Sequence, residues 1–207
     1  MVGIVNFEID GRNVKAKTGT TIMEAALNVG IEIPHMCYHE DTEHQSGCRI
    51  CSVEVEKNWS RRIVAACSYP VEEGIKVTTV SPKIAKIRKT ILELAAVSSG
   101  PNVASKMQAL AKEYGADLTR FSSRVEHEET KCILCGLCVN RCLEATYNGV
   151  IGFVGRGVDR RIVRFPEISE ACPTCNYCYS VCPTGRITSV GPSPSFPSFN
   201  DVLSGRK

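Results

Sequence analysis

The chain lacks any phosphate-binding glycine loop: there is no Walker A run and no Gly-x-Gly-x-x-Gly, so the usual nucleotide sites are excluded. No stretch approaches the roughly 18 apolar residues of a membrane span, and residues 150–154 form only a core-sized run. The N-terminus has no basic segment followed by an apolar one, so no secretory leader is expected and a cytoplasmic chain is the reading. Charge of one sign is lacking too. The 25 basic and 22 acidic residues leave +3, without the dense Lys/Arg stripe that nucleic-acid binding requires. No nucleophile–base pair or carboxylate dyad stands out, so no catalytic site of its own is expected.

Cysteine is what the chain has in excess, with twelve in 207 residues. Disulfides would suit a secreted chain with an even count, but in a reducing compartment such residues read as metal ligands. One internal repeat organises eight of them. Cys132-x-x-Cys135-x-x-Cys138-x-x-x-Cys142 recurs as Cys172-x-x-Cys175-x-x-Cys178-x-x-x-Cys182, forty residues later with identical spacing. A [4Fe–4S] cube presents four iron corners, each taking one soft thiolate. A Cys-x-x-Cys-x-x-Cys loop wraps three corners and cannot close the fourth. In two-cluster ferredoxins the fourth cysteine of each run ligates the other cluster. That rule groups Cys132, Cys135 and Cys138 with Cys182, and Cys172, Cys175 and Cys178 with Cys142. Two zinc sites are the alternative, but a zinc site needs only two pairs and leaves the third cysteine superfluous. Pro183 follows Cys182, as the bacterial run prefers, whereas Leu143 follows Cys142.

The remaining four are Cys37, Cys48, Cys51 and Cys67, with gaps of ten, two and fifteen residues. The plant-type [2Fe–2S] run has a four-residue first gap, so this is a variant of it. His35, His39 and His44 lie nearby without the spacing of a Rieske centre. Four thiolates suffice, so these three read as loop residues, and His127 as a surface residue. Each thiolate-held cluster adds about −2. Three would bring the loaded chain to roughly −3, so the basic balance of the bare chain says little about partners.

The chain is α+β in pattern. Residues 3–10 alternate as a half-buried strand, Gly11-Arg12-Asn13 reads as a turn, and residues 14–17 return as a second strand. Thr21-x-x-Glu24 is a capping box before an amphipathic helix running through Leu27 and Val29, with Gly30 at its C-cap. Residues 31–51 are an irregular loop. Residues 52–56, 62–66 and 75–80 read as strands. This order predicts a β-grasp [2Fe–2S] domain over 1–81. A helical spacer follows over 82–123. Ile84, Ile87, Ile91, Leu94 and Ala95 stripe its first helix, and a second helix runs over 103–114. Residues 124–190 form the two-[4Fe–4S] ferredoxin-like domain, and 191–207, rich in Pro, Ser and Gly, an extended tail. Gly149, Gly152, Gly155 and Gly157 read as structural glycines of tight turns. Arg156, Arg160, Arg161 and Arg164 read as a solvated face, with a docking patch for an acidic partner as the alternative. Tyr177 and Tyr179 flank Cys178 and are expected to shield a cluster from water.

Several local runs resemble one family. They are Ile33-Pro34-His35-Met36-Cys37-Tyr38, Gly47-Cys48-Arg49-Ile50-Cys51 and Ala66-Cys67-Ser68-Tyr69-Pro70, then residues 131–138 and 151–157. Residues 1 to about 190 resemble the N-terminal iron–sulfur region of the large NADH:quinone oxidoreductase (complex I) subunit. They are similar also to the diaphorase iron–sulfur subunit of NAD(P)-linked hydrogenases and formate dehydrogenases. The resemblance implies an electron-transfer subunit. Its partners would be an FMN- and NAD(P)-binding flavoprotein, a thioredoxin-like [2Fe–2S] subunit, and a hydrogenase or formate dehydrogenase catalytic subunit, with ferredoxin as a further acceptor. A free-standing ferredoxin-like carrier is the competing reading. One departure matters. The family usually carries a further [4Fe–4S] cluster held by one His and three Cys between the two regions, but residues 83–131 contain no Cys and only His127. That gap would suit an electron-bifurcating complex, with the [2Fe–2S] site as a side branch or regulated stop. Electrons would otherwise need a close approach of the two domains, or a cluster lent by a partner.

Overall fold

The structure is a computed structural model. It describes residues 3–43, 45–100, 103–121, 130–147, 149–165, 175, 177–187 and 198–204. The N-terminal part is a five-stranded sheet crossed by one helix. Strand β1 (Ile4–Ile9) pairs antiparallel with β2 (Arg12–Lys17), placing Phe7 opposite Val14. Asp10 and Gly11 both sit at positive φ, the two-residue hairpin geometry that matches strand twist. The turn therefore falls earlier than Gly11-Arg12-Asn13, and β2 gains Arg12 and Asn13. Strands β3 (Ser52–Lys57) and β4 (Ser60–Ala65) form a second hairpin, and β5 (Lys76–Thr78) lies between the two hairpins. The order is β2-β1-β5-β3-β4, with β5 parallel to β1 and antiparallel to β3.

Helix α1 (Ile22–Asn28) starts on the capping box. Thr21 Oγ1 accepts from the Glu24 N–H at 3.2 Å, and the Thr21 N–H donates to Glu24 Oε2 at 2.7 Å. Its buried face is Ile22, Met23, Ala25 and Ala26, which close over Phe7, Ile9, Val53, Val55 and Val77. Leu27 and Val29, expected on the apolar face, are exposed: Leu27 lies on the outer side of α1 and Val29 is its C-cap.

Ser81 caps helix α2 (Pro82–Ser99) by accepting from the Ile84 N–H at 3.2 Å, with Pro82 at the first helical position. Helix α3 (Ser105–Tyr114) ends on Gly115 in the left-handed conformation. Leu92 and Ala96 of α2 meet Val103 and Met107, and both helices rest on Met36 and Ile50 of the long loop. The expected stripe is met in part: Ile84 is buried and Ile91 and Ala95 pack partly buried on this core, but Leu94 is 54% exposed, and the fully buried row also takes in Arg88, Leu92, Glu93, Ala96 and Ser99. Two charged residues lie on that face because each is satisfied internally. Arg88 donates to backbone carbonyls, and Glu93 accepts from Arg120 at 2.7 Å and from the Asp117 N–H at 3.3 Å.

The C-terminal part comprises α4 (Leu137–Thr146), a hairpin of β6 (Ile151–Val154) and β7 (Arg161–Arg164), and the short helices α5 (Tyr177–Ser180) and α6 (Phe199–Leu203). The tail reads as extended or as a partner-docking arm, but Ser198 bridges to Arg164 and the Phe199 ring lies tilted against Phe165 at 5.3 Å, so its described segment packs back on this part as one helical turn. The β6–β7 connection depends on Gly155. Its φ is +74°, and a Cβ there would run into the Asp159 carbonyl. Gly155→Ala is therefore expected to lower stability by about 2 kcal/mol or more. Urea unfolding of the two chains checks this, and a wild-type midpoint in the variant would refute it.

Candidate metal centres

The loop from α1 to β3 carries Cys37, Cys48 and Cys51, and the turn after β4 brings up Cys67. Local backbone geometry makes this possible. Ser46 and Arg49 adopt positive φ, which turns the chain tightly around Cys48, and the Ala66 N–H donates to the Cys51 carbonyl at 3.1 Å, fixing the two cysteine segments together. The Cys51 and Cys67 sulfurs are 3.4 Å apart, and the Cys48 N–H donates to Cys37 Sγ at 3.4 Å. Cys37 reaches both Cys48 and Cys67, and the Cys67 thiol donates to Ser46 Oγ at 3.3 Å. Cys37, Cys51 and Cys67 are buried and Cys48 is half-buried.

Four thiols crowded out of water are poorly placed to ionise without a cation. The Cys37 contact favours the Cys67 thiolate, but its bond with Cys51 and its burial prevail and push it up to about 11. The Cys48 thiol is raised by its bond to Cys37 and then by burial. Cys51 alone is lowered, by the bond with Cys67. The thiols form the neighbouring pairs Cys37/Cys48 and Cys51/Cys67, joined by the contact of Cys37 with Cys67. An all-sulfur donor set in two pairs fits a group with two irons, two thiolates to each. The histidines are otherwise engaged. His35 Nδ1 lies 3.0 Å from the Ile33 carbonyl, and His39 Nδ1 accepts from the Asp41 N–H at 3.3 Å. His44 and His127 lie outside the described residues.

A second group of thiols lines a cavity in the C-terminal part. Cys132, Cys135, Cys138 and Cys182 surround it, together with Ile162, Ile187, Thr184 and Arg186. Lys131, Leu134 and Gly136 take positive φ, and this wraps the 131–138 segment around the cavity before α4 begins. The Leu134 N–H donates to Cys132 Sγ at 3.4 Å. Burial pushes the Cys135 thiol up to about 12 and raises Cys132 and Cys138 as well. Of the other set, Cys142 and Cys178 are buried together with Val150, Ile151 and Ile162. Cys175 is half-buried, and Cys172 lies outside the described residues. Tyr179 packs on this core, but Tyr177, expected to shield it, is 50% exposed under the Arg141 guanidinium. Arg160 lies over the Phe153 ring at 4.0 Å, so one member of the arginine group is tied to the hairpin.

The two thiol sites are neighbours, which the sequence did not show. The loop after Cys37 lies along α4. The Glu43 N–H donates to Glu144 Oε1 at 2.8 Å, Asn140 Nδ2 to the Glu43 carbonyl at 2.8 Å, Gln45 Nε2 to Asn140 Oδ1 at 2.9 Å, and Arg141 Nη1 to the Asp41 carbonyl at 2.8 Å. Ile133, between two cavity cysteines, packs with Met36, Ile50 and Cys48. Cys37 is close enough that its charge opposes ionisation of Cys135. The available signal was the polar run after Cys37, which has no apolar period and reads as solvent-exposed loop.

Residues 4–82 match the 2Fe-2S iron-sulfur cluster binding domain. The N-terminal unit is thus similar to a [2Fe–2S] cluster binding domain over its whole length. Its four thiols supply the donor set that such a cluster takes. Along most of its length the chain is 34% identical to the NADPH-Fe(3+) oxidoreductase subunit alpha of Geobacter sulfurreducens, over 90% of this chain and 24% of that protein. It is also 34% identical to the NADH-ubiquinone oxidoreductase 75 kDa subunit of Reclinomonas americana, over 90% of this chain and 29% of that protein. The chain thus spans about a quarter of the length of the curated relatives it matches. Among solved structures it is similar to an NAD+-reducing [NiFe]-hydrogenase, with a TM-score of 0.66 and 25% identity over 94% of this chain and 89% of that one. The resemblance to complex I and hydrogenase iron–sulfur subunits drawn from the local runs is thus present across nearly the whole chain. Among the described residues no helix is long and apolar enough to cross a membrane.

Proposed function

We propose that this chain is an electron-transfer subunit of an NAD(P)-linked oxidoreductase, carrying one [2Fe–2S] and two [4Fe–4S] clusters as a wire. The observation that carries the reading is the adjacency of the Cys37/Cys48 pair to the cavity of Cys132, Cys135, Cys138 and Cys182 across the α4 contact. Bound iron–sulfur clusters supply one-electron chemistry. The chain's own residues hold, insulate and orient them. Cys37, Cys48, Cys51 and Cys67 would grip the [2Fe–2S] cluster. Cys132, Cys135, Cys138 and Cys182 would grip one cube, and Cys142, Cys172, Cys175 and Cys178 the other. The N–H groups of Cys48 and Leu134 donate to sulfur and so favour the more negative, reduced state. Met36, Ile50 and Ile133 keep water from between the sites. This contact offers a close approach, one of the two routes open without the His/Cys cluster, and it supports a series wire over the side branch expected from the sequence.

The likeness to an NAD+-reducing hydrogenase supports a hydrogenase as catalytic partner, with a flavoprotein subunit at the electron entry. Chemical analysis of anaerobically reconstituted protein tests the cluster count. About ten irons and ten acid-labile sulfides per chain are expected, and fewer than about eight irons would defeat the three-cluster reading.

A further inference from the structure

The spacer helix α2 holds a buried cation to which the wire, as described, gives no part. Arg88 is 1% exposed. Its Nε donates to the Ile50 carbonyl at 3.1 Å, its Nη2 to the Ser52 carbonyl at 3.0 Å, and its Nη1 to the Tyr114 hydroxyl at 3.0 Å. The Tyr114 ring also lies 5.5 Å from its Cζ. All these partners are neutral, and the one carboxylate nearby, Glu113, reaches Arg88 only through the Tyr114 hydroxyl. Among the described residues Arg88 makes no ion pair, and Glu93, the buried carboxylate of the same helix, is taken by Arg120. A guanidinium stays charged at any working pH, and a buried charge without a counterion is costly. Its place in the fold indicates where the counterion belongs, since Ile50 and Ser52 flank Cys51.

We propose that Arg88 is the built-in counterion and positioning residue of the [2Fe–2S] centre, clamping the Cys51 segment from behind and holding the reduction potential up. This rests on the [2Fe–2S] reading of Cys37, Cys48, Cys51 and Cys67. The thiolate-held cluster carries about −2 when oxidised and about −3 when reduced. Reduction brings in one electron from the donor, with no bond in the protein made or broken and no proton taken up. A fixed cation behind Cys51 stabilises the extra charge through a poorly screened interior. The two carbonyl bonds also hold the 50–52 backbone against α2, and Tyr114 ties α3 to the same guanidinium. The spacer that lacks a cluster of its own thereby sets the properties of the cluster beside it.

The test is a dithionite titration of the full reconstituted chain, followed through the [2Fe–2S] electron paramagnetic resonance signal. For Arg88→Gln the reduction equilibrium is expected to fall about tenfold, a potential about 59 mV lower for one electron. Arg88→Lys keeps the charge and is expected to stay within about threefold of wild type. An Arg88→Gln titration within about twofold of wild type overturns the proposal. If Arg88→Gln does not load the cluster, Arg88→Lys decides. A potential close to wild type supports the counterion, and a fall of about tenfold overturns it. A wild-type chain that shows no [2Fe–2S] signal would defeat the cluster reading itself, whereas a loaded wild type with an unmoved Gln variant would defeat the role of Arg88 alone.

Discussion

Cys37→Ser in the assembled complex is expected to remove the [2Fe–2S] resonance and to bring NAD(P)-linked turnover to background, while both cube signals remain. Cys37 is buried at the meeting of the four thiols, in contact with Cys48 and Cys67. Serine has nearly the same shape but offers a hard oxygen in place of the soft thiolate that an iron–sulfur cluster needs. The consequence for turnover follows from the path. Cys37 and Cys48 face the cavity of Cys132, Cys135 and Cys138 through Ile133, so loss of the first centre interrupts a series wire. Resonance and turnover are measured on the same purified complex, with assembly checked by its size. Full turnover in a correctly assembled complex that has lost the [2Fe–2S] signal would restore the side-branch arrangement and sink the series one.

Cys182→Ser is expected to destroy the cube held by Cys132, Cys135 and Cys138, although it lies at the end of the other run. The iron content should fall from about ten to about six per chain. The [2Fe–2S] resonance should persist, because Cys51 and Cys67 sit in the core of the sheet domain and none of its four thiols lines the cavity that Cys182 completes. The expectation rests on place in the fold. Cys182 follows α5, and the chain there turns back so that Cys182, Thr184 and Arg186 complete the wall of the cavity beyond the 131–138 loop. Cys178, the neighbouring ligand candidate, and Cys142 do not line that cavity, although they share the adjoining core with Cys138. Loss of the cube assigned to Cys142, Cys172, Cys175 and Cys178, with the other intact, would show that the cross-over grouping is wrong.

Most of the N-terminal domain was legible from local pattern. Alternation in residues 3–10, the Thr21/Glu24 box and the gaps between Cys37, Cys48, Cys51 and Cys67 are short-range signals, and short-range physics decides hairpins, caps and thiol loops. The α2 stripe was met only in part, for a definite reason. Periodicity counts apolar residues, and α2 buries Arg88 and Glu93, whose polar groups are satisfied by partners that no local pattern contains. Leu94 pointed outward at no great cost, as single exposed apolar residues do. The β6–β7 hairpin was passed over because glycines dominate its sequence, while its register comes from Ile151 opposite Arg164 and from the close approach at Gly155.

The sequence by itself pointed to the chemistry. Twelve cysteines in two spacing classes, and no other reactive constellation, lead to iron–sulfur electron transfer as the reading, and spacing alone carries that because each thiol loop is local. Only the tertiary structure brought the two thiol sites and the spacer helix together. The loop at residues 39–45 lies on α4, Ile133 sits among Met36, Ile50 and Cys48, and a guanidinium from the spacer grips the carbonyls on either side of Cys51. These contacts join residues some 35 to 100 positions apart. Such pairings arise from the docking of whole elements, through buried area and hydrogen-bond satisfaction that no sequence window contains.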